Sequence, residues 1–349
     1  MADYVKQTIE STKQTIAQNF TGDSNSLVPE HQRFSLEEVP DLTNKVAVVT
    51  GGSEGVGFGC THTLLNKNIK KVFILTVSKE VIDGATKSIE EEMGADKASR
   101  VEWMQLDLSD WTAAARVADE ITKKTDRLDI LINNAGRGIM TYQLASNGVD
   151  LHMATNHFGP VVLTSHLMPL LKKTADAGNT VRIVNLGSNA HQNAPKDTKF
   201  ESLEELNQDL GPNGQYGRSK LAAILYAKYL ARHLTSQNKN ILANASHPGF
   251  VQTRQSVEHI HEPYPLAGYG VSHVLAPLKK DQFEGAVSTM FAATKTEKSG
   301  QYICPPAVPE QGSELANNDQ LGEQLMKLTK QLVEEKTGAT GKSCPLQFY

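Results

Sequence analysis

Residues 45–57 read KVAVVTGGSEGVG, and this stretch decides the fold. The apolar run 46–50 predicts a buried strand, and the glycine-rich turn after it leads into a helical pattern over 56–67. Small residues let a backbone turn sharply and approach a pyrophosphate, and the following helix offers free N–H groups and a positive dipole end. A tight strand-to-helix turn without a ligand would leave the same pattern, so the glycines alone leave both readings open.

The rest of the chain alternates short apolar runs with longer helical patterns. The predicted strands cover 46–50, 72–77, 101–107, 128–133, 181–186, 241–247 and 301–304. Helices are predicted between them at 56–67, 84–93, 112–124, 147–174 and 217–237. Nearly unbroken apolar strands that alternate with helices are typical of a parallel sheet covered on both faces. The predicted class is α/β, a doubly wound Rossmann fold with a seven-stranded, mostly parallel sheet flanked by helices, whose ligands bind at the strand carboxyl ends.

Three parts of the chain differ in pattern. They are an N-terminal extension with a short amphipathic helix, a single Rossmann-type catalytic domain, and a C-terminal helix and tail, over residues 1–44, 45–310 and 311–349. The amphipathic helix could pack on its own domain, cover a neighbouring subunit or lie on a membrane surface. Two polar segments, 189–215 and 250–280, leave strand ends near the predicted ligand edge. We expect them to form the walls of a substrate pocket.

Composition and charge exclude several classes of function. Lys plus Arg number 35 and Asp plus Glu 39, which gives a net charge of -4 and argues against nucleic acid as a partner. No apolar stretch reaches the roughly 18 residues that span a bilayer, so we expect no transmembrane anchor. The start of the chain lacks a signal-peptide core, and the expected location is cytoplasmic. His259 and His261 lack the i,i+4 helical spacing of a zinc motif, so no metal site is expected.

Tyr216 and Lys220 are candidates for acid/base chemistry. They stand four residues apart in a predicted helical region, so both side chains face the same side. An ammonium near a phenol favours the phenolate, which predicts a lowered tyrosine pKa. Ser188 follows the strand 181–186 and could hydrogen-bond a substrate oxygen. Taken alone, the pair could be a chance pair on a solvated helix, and the serine could be a turn residue.

Five motifs, in this order, resemble the short-chain dehydrogenase/reductase family. They are the TGxxxGxG turn at 50–57, NNAG at 133–136, Ser188, the YxxxK motif at 216–220 and the PG turn at 248–249. The resemblance covers about 45–305. Residues 147–159 and 182–188 are similar to the retinol-dehydrogenase-like branch, and more narrowly to its fungal members. Gly187 stands where the family usually has a second serine, and we expect this departure to change local packing only.

The resemblance implies hydride transfer between a nicotinamide coenzyme and a carbonyl or alcohol carbon. Tyr216 would be the catalytic acid/base, and Ser188 would polarise the substrate oxygen. Lys220 would also bond the nicotinamide ribose, and Asn156 would hold a water that links Lys220 to solvent. The predicted activity is an NADP(H)-dependent carbonyl reductase or alcohol dehydrogenase acting on a moderately apolar aldehyde, ketone or alcohol.

The coenzyme contacts implied by the resemblance lie mostly after the predicted strands. They are Gly51, Ser53, Glu54, Gly55, Val56, Gly57, Ser78, Lys79, Asp107, Leu108, Asn134, Ala135, Gly136, Tyr216, Lys220, Pro248, Gly249, Val251 and Thr253. NADP(H) is favoured over NAD(H), because Ser78 and Lys79, rather than an acid, follow the second strand. Two observations count against this preference. The arginine often found at position 78 is missing, and Glu54 lies in the phosphate turn.

Two other functions are open to a chain of this kind. One is a cofactor-binding sensor or scaffold without turnover, which the complete set of Asn156, Ser188, Tyr216 and Lys220 disfavours. The other is an epimerase or dehydratase, which the spacing of the glycine turn disfavours. A homodimer is possible, because the family often pairs through the helices predicted at 147–174 and 217–237.

Overall fold

The structure of the protein is a computed structural model in which residues 33–249, 251 and 281–338 are described. Three predictions concern residues outside these ranges: the N-terminal amphipathic helix, nearly all of the segment 250–280, and the coenzyme contact at Thr253. The pair His259 and His261 lies outside them as well.

A single sheet runs through the described residues in the order β3-β2-β1-β4-β5-β6-β7-β8. Its strands are β1 Val46–Thr50, β2 Lys71–Thr76, β3 Val101–Gln105, β4 Ile130–Asn133, β5 Val181–Leu186, β6 Ile241–Ser246, β7 Tyr302–Cys304 and β8 Val308–Glu310. All pairings are parallel except that of β7 with β8. All seven predicted strands are present. The eighth was not predicted, because three residues with a proline in the middle carry no readable periodicity.

Helices cover both faces of the sheet. They are α1 Gly55–Asn66, α2 Lys79–Met93, α3 Ala95–Ser99, α4 Trp111–Lys124, α5 Leu151–Asp176, α6 Leu203–Leu206, α7 Gly211–Leu230, α8 Gln282–Thr294 and α9 Asp319–Thr337. Helix α5 contains a π turn at Ala154–Phe158, and α7 is followed by a π turn at Ala231–Thr235. Short 3₁₀ turns occupy Leu36–Glu38, Asn189–Asn193 and Leu315–Asn317. The doubly wound α/β fold predicted from the sequence is therefore confirmed.

Two helices begin earlier than their apolar patterns predicted. α2 begins at Lys79 rather than 84, because the Ser78 hydroxyl accepts a hydrogen bond from the Val81 N–H at 3.3 Å and caps the helix. α7 begins at Gly211 rather than 217, with Pro212 in its first turn. Proline suits that position, since its missing N–H would have no partner there. Tyr216 consequently lies inside α7.

The sheet is the centre of two apolar layers. Every residue of β1 is buried, and its side chains pack alternately against the two faces. On one face, Trp111 of α4 stacks on Phe158 of α5 with ring centroids 4.8 Å apart. On the other face, Leu64 of α1 and Ile89 of α2 are fully buried. Burial of side chains of this size contributes about 1.5–3 kcal/mol each, which fixes the strand ends that carry the site.

The C-terminal helix α9 packs on α7. Its amphipathic face buries Leu325 and Leu332 in the main core. Asn318 caps its first turn by accepting from the Leu321 N–H at 3.0 Å. Arg232, just after α7, pairs with Asp319 at 2.5 Å. The surface of α7 that faces α9 is therefore covered within the same chain.

Candidate active site

The turn between β1 and α1 is built around glycines. Gly51 and Gly55 have φ values of +61° and +51°, which other residues rarely adopt. A Cβ at Gly57 would lie 2.1 Å from the Gly51 carbonyl oxygen, so the helix can approach the turn only without a side chain there. Glu54 caps α1 with its backbone alone and makes no side-chain cap hydrogen bond. The open helix N-terminus and the bare backbone around it fit the pyrophosphate of a dinucleotide.

The neighbouring strand holds this turn in place. The Asn134 side chain donates to the Thr50 and Gly51 carbonyl oxygens at 2.9 and 3.1 Å. The Thr50 hydroxyl accepts from the backbone N–H groups of Asn134 and Ala135, both at 2.9 Å. Thr50 was not singled out as a site residue from the sequence. Its place at the start of the TGxxxGxG motif was the available signal.

A cavity of about 730 Å³ follows the carboxyl edge of the sheet. Of the residues proposed from the sequence, the cavity is lined by Gly51, Glu54, Gly55, Val56, Asp107, Leu108, Asn134, Ala135, Gly136, Ser188, Tyr216, Lys220, Pro248, Gly249 and Val251. Ser53, Gly57, Ser78, Lys79 and Asn156 are not among its lining residues. The structure thus brings the glycine turn and the YxxxK pair to one cavity.

Ser188, Tyr216 and Lys220 meet at one end of this cavity. The Ser188 hydroxyl lies beside the Tyr216 phenol, whose pKa it lowers, and it donates to the Asn189 side-chain oxygen at 3.3 Å. The Lys220 Nζ lies 5.6 Å from the centroid of the Tyr216 ring, one turn further along α7. It donates to the Leu186 carbonyl oxygen at 2.9 Å, which ties α7 to the end of β5. The arrangement places a phenol, a hydroxyl and a buried amine around one open space.

The predicted lowering of the Tyr216 pKa by Lys220 is wrong for this structure. Burial raises the pKa of the Tyr216 phenol above its ordinary value, and the hydrogen bond from Ser188 opposes that rise only in part. Burial also lowers the pKa of Lys220, to about 8. Both groups are desolvated, and desolvation disfavours the charged form of each. The phenol is therefore held protonated at neutral pH.

Asn156 lies behind the site, in the π turn of α5. Its side-chain oxygen accepts from the Arg137 N–H at 2.6 Å, and its amide donates to the Arg137 carbonyl oxygen at 3.0 Å. The amide also donates to the Ser219 hydroxyl at 2.8 Å. A Cβ on Gly136 would lie 2.9 Å from the Asn156 oxygen and 3.4 Å from the Lys220 Nζ. Asn156 and Lys220 therefore approach each other across a bare glycine.

Gly187 has a packing explanation. A Cβ at this position would lie 2.9 Å from Cγ1 of Ile224 and 3.3 Å from Cε2 of Tyr302. These two side chains therefore occupy the space into which a serine would project. Packing explains the glycine, and the expectation that the departure changes local packing only stays a prediction, since Gly187 also lines the cavity.

The coenzyme-discriminating end of the site lies after β2. Val77 lines the cavity with 57% of its surface exposed. Ser78 caps α2, and Lys79 pairs with Asp83 at 2.5 Å on the exposed side of that helix. Across the cavity, Asp107 accepts from the Ser109 N–H and hydroxyl, both at 2.8 Å. Asp110, rather than Asp107, caps α4.

Comparison with known proteins gives the family. The family model described as short chain dehydrogenase matches residues 45–199. A relative from Neurospora crassa, named as oxidoreductase bli-4, mitochondrial, is 54% identical over 349 residues, covering 98% of this chain and 84% of that protein. The chain therefore belongs to the short-chain dehydrogenase/reductase family, is similar to fungal members of it, and is an oxidoreductase.

More distant relatives agree with the fold and family. The polyprenol dehydrogenase of Danio rerio is 29% identical over 272 residues, covering 77% of this chain and 80% of that protein. A crystal structure of an uncharacterised protein from Mycobacterium paratuberculosis is 26% identical with a TM-score of 0.66, covering 86% of this chain and 98% of the other.

The cytoplasmic location expected from the sequence is wrong, because the Neurospora relative that matches nearly the whole chain is named as mitochondrial. Among the described residues, no helix is both long and apolar enough to cross a membrane.

Proposed function

We propose that the protein is an NADP(H)-dependent carbonyl reductase or alcohol dehydrogenase with Tyr216 as its acid/base. One observation supports this above the others: Ser188, Tyr216 and Lys220 line the same cavity as the glycine turn. A bound nicotinamide coenzyme would supply the hydride. The chain's own residues then have to orient the carbonyl and manage one proton.

The raised pKa of Tyr216 favours the reductive direction. As the carbonyl carbon receives hydride, its oxygen gains negative charge and takes the phenol proton. Ser188 would stabilise this oxygen by a hydrogen bond that strengthens as the charge develops. The phenolate left behind faces Lys220, which is protonated below its pKa of about 8. Alcohol oxidation needs the phenolate at the start, so its rate should rise with pH above neutrality.

A moderately apolar substrate fits the site. Ile139, Met140 and Leu151 line the cavity together with the catalytic residues. Burial of apolar substrate surface against them would contribute about 25 cal/mol per Å². The name of the polyprenol dehydrogenase relative also indicates an apolar alcohol for that protein. We therefore place apolar aldehydes, ketones and alcohols first in a substrate screen.

The preference for NADP(H) rests on the groups after β2. The Ser78 hydroxyl accepts from Val81, and its own hydrogen is left to donate to a phosphate. Lys79 is paired with Asp83, and an exposed ion pair of this kind contributes little free energy. Lys79 could therefore leave Asp83 and bind a 2′-phosphate at little cost. Comparison of kcat/KM for NADPH and NADH tests the preference. A higher kcat/KM with NADH would contradict it.

The central test is Tyr216→Phe, assayed with NADPH and a panel of aldehydes and ketones. The phenyl ring keeps the packing but has no proton to give, so kcat should fall by about 1,000-fold or more while coenzyme Kd changes by less than about twofold. Tyr229→Phe, on the same helix and outside the cavity lining, is the control and should retain activity. Turnover unaffected by Tyr216→Phe would contradict the mechanism. A wild-type protein that binds coenzyme without turnover would favour the sensor or scaffold alternative.

The location and the oligomeric state are separate proposals. The name of the Neurospora relative supports a mitochondrial location, which cell fractionation with a tagged chain tests. The predicted homodimer stays a prediction. The packing of α9 on α7 counts against pairing through α7, because the two copies would compete with α9 for one surface. Light scattering of the wild-type protein measures the state directly.

A further inference from the structure

His191 is a buried histidine beside the site that the mechanism above does not use. Its Nδ1 lies 2.6 Å from the Ser188 carbonyl oxygen. Its Nε2 lies 2.9 Å from the backbone nitrogen of Ser313, which follows β8. Only 1% of the residue is exposed, and it is not part of the cavity lining. The ring therefore joins the catalytic serine to a segment 122 residues further along the chain.

The two partners fix the proton on the ring. A backbone N–H can only donate, so Nε2 must accept from Ser313 and carry no hydrogen. A carbonyl oxygen can only accept, so Nδ1 must carry the hydrogen and donate it to Ser188. Burial lowers the pKa of His191 to about 4, and the ring is neutral at physiological pH. The geometry therefore defines a single tautomer that points from Ser313 to Ser188.

The surroundings of the ring are shaped for this contact. Gly312 has a φ of +74°, and a Cβ there would lie 3.3 Å from Nε2 of His191. The missing side chain lets the 312–313 backbone turn its N–H toward the ring. Tyr302 of β7 packs edge-on against the ring, with centroids 5.3 Å apart. The ring is thus held by packing as well as by its two hydrogen bonds.

Control of the Ser188 carbonyl also controls its hydroxyl. The carbonyl receives two hydrogen bonds, from Nδ1 of His191 and from the His191 backbone N–H at 3.1 Å. The Ser188 hydroxyl accepts from the Ala190 N–H at 3.2 Å and donates to the Asn189 side-chain oxygen at 3.3 Å. The groups that bond the Ser188 carbonyl and hydroxyl all come from the turn Asn189–Asn193, whose N-cap is Ser188. Rotation of the peptide after Ser188 would move Asn189 and Ala190, whose hydrogen bonds hold the Ser188 hydroxyl in place.

We propose that His191 is a positioning residue, which aims the Ser188 hydroxyl at Tyr216 and the substrate oxygen by bracing the Ser188 carbonyl against the segment after β8. This proposal rests on the proposed function. Its effect is confined to the catalytic step, because the coenzyme turn shares none of these hydrogen bonds. The consequence is that residues 312–313, remote in sequence, set the efficiency of the serine.

Two substitutions separate the two ends of the ring. Asparagine places an amide N–H donor where Nδ1 stands, and glutamine can place its side-chain carbonyl oxygen, an acceptor, where Nε2 stands. His191→Asn should therefore keep the bond to Ser188 and retain kcat within about threefold of wild type. His191→Gln should keep only the contact with Ser313 and lower kcat by about tenfold or more, since misplacement of a catalytic group is costly. Coenzyme Kd and the KM for the carbonyl should change by less than about twofold in both.

Equal losses of kcat in the two variants would overturn the proposal, as would a loss that appears in coenzyme Kd rather than kcat. Melting temperature and coenzyme binding show whether each variant is folded. If His191→Gln does not fold, Gly312→Ala replaces it, since a Cβ at a φ of +74° displaces the Ser313 N–H from the ring. That variant should lower kcat in the same way, and unchanged turnover in it would also overturn the proposal.

A measurement that needs no turnover separates this inference from the proposed function. Nitrogen-15 NMR of histidine-labelled wild type, assigned by comparison with His191→Asn, reports which ring nitrogen carries the hydrogen. The proposal requires hydrogen on Nδ1 and none on Nε2, and the opposite tautomer overturns it. Wild-type protein with this tautomer but without carbonyl reduction would overturn the proposed function and leave the bracing of Ser188 in place.

Discussion

The turn after β1 and the turn after β5 lie at the same edge of the sheet and are held in different ways. The first depends on glycines and on Asn134 and Thr50, at the ends of paired strands. The second depends on His191, which bonds the Ser188 carbonyl oxygen and accepts from the backbone N–H of Ser313, 122 residues further along the chain. The coenzyme side is therefore held by contacts between two paired strands around a backbone free of side chains, and the serine side by a buried histidine that reaches the segment after β8.

This difference separates affinity from rate. Changes near the first turn should act on coenzyme binding, because the backbone there forms the phosphate cradle. Changes near the second turn or in the C-terminal segment should act on the chemical step or on the pH dependence of stability. The predictions below test this separation.

The largest effect is expected from Gly57→Ala. The new Cβ would lie 2.1 Å from the Gly51 carbonyl oxygen and 2.5 Å from the Asn134 amide, and neither can move without breaking the turn. Coenzyme Kd, measured by fluorescence titration, should rise by about 1,000-fold or more. Gly84→Ala, where a Cβ meets nothing within 4 Å in α2, is the matched control and should gain up to about 1 kcal/mol of stability. A coenzyme Kd in Gly57→Ala equal to that of wild type would contradict the assignment of coenzyme binding to the turn after β1.

The next effect concerns acid stability through His157, beside Asn156. Nε2 of His157 lies 2.8 Å from the Thr329 hydroxyl of α9, and burial lowers the pKa of the histidine to about 3. Since this folded-state pKa lies below the ordinary 6.5, the stability contribution is complete above pH 6.5 and is lost as pH falls toward 3.

Wild type should therefore lose about 3 kcal/mol more unfolding free energy between pH 7 and pH 4 than His157→Phe. Urea denaturation at the two pH values measures the difference. His166→Phe, at a histidine that pairs with exposed Asp119, is the control. Parallel pH profiles for wild type and His157→Phe would contradict the prediction.

A smaller effect is expected from Asn134→Ala. The change leaves the Thr50 and Gly51 carbonyl oxygens without the amide that bonds them, at a cost of about 1–3 kcal/mol in stability. Coenzyme Kd should rise about tenfold while kcat at saturating coenzyme changes little. Asn238→Ala, which removes an exposed bond to Asp176, controls for loss of an asparagine. A fall in kcat without a change in Kd would contradict the role of this turn in coenzyme binding.

The smallest effect is expected from Lys79→Ala. Its ion pair with Asp83 is exposed, so stability should change by less than about 0.5 kcal/mol. The kcat/KM with NADPH should fall about threefold or more, and that with NADH should not change. Lys87→Ala, on the same helix and paired with exposed Glu91, should change neither. Equal losses with both coenzymes would count against a 2′-phosphate contact.

The sequence predicted the local half of the molecule well. Seven strands, the glycine turn and the meeting of Tyr216 with Ser188 follow from patterns within a few residues of each other or from parallel strand ends. The strand β8 and the capping role of Ser78 were missed, since both depend on neighbours rather than on periodicity.

The electrostatics could not be predicted from spacing. The i,i+4 pair predicted a lowered Tyr216 pKa, whereas burial of both groups dominates in the folded protein. The contact of His191 with Ser313 could not be predicted from the sequence, because the donor is a backbone N–H, which almost every residue type has. The expected location failed for a different reason. It rested on the absence of recognised targeting patterns, whereas a relative that matches 98% of this chain is named as mitochondrial.

The histidine contacts with Ser313 and Thr329 also bear on the order in which the site forms during synthesis. The hydrogen bonds that hold the coenzyme turn come from residues no later than Asn134 and Ala135. Ser188 and the π turn of Asn156 acquire their remote hydrogen bonds only after residues 313 and 329 have been made. A chain that ends before residue 313 lacks both contacts, so the last hydrogen bonds on the serine side are supplied only when synthesis of the chain is nearly complete.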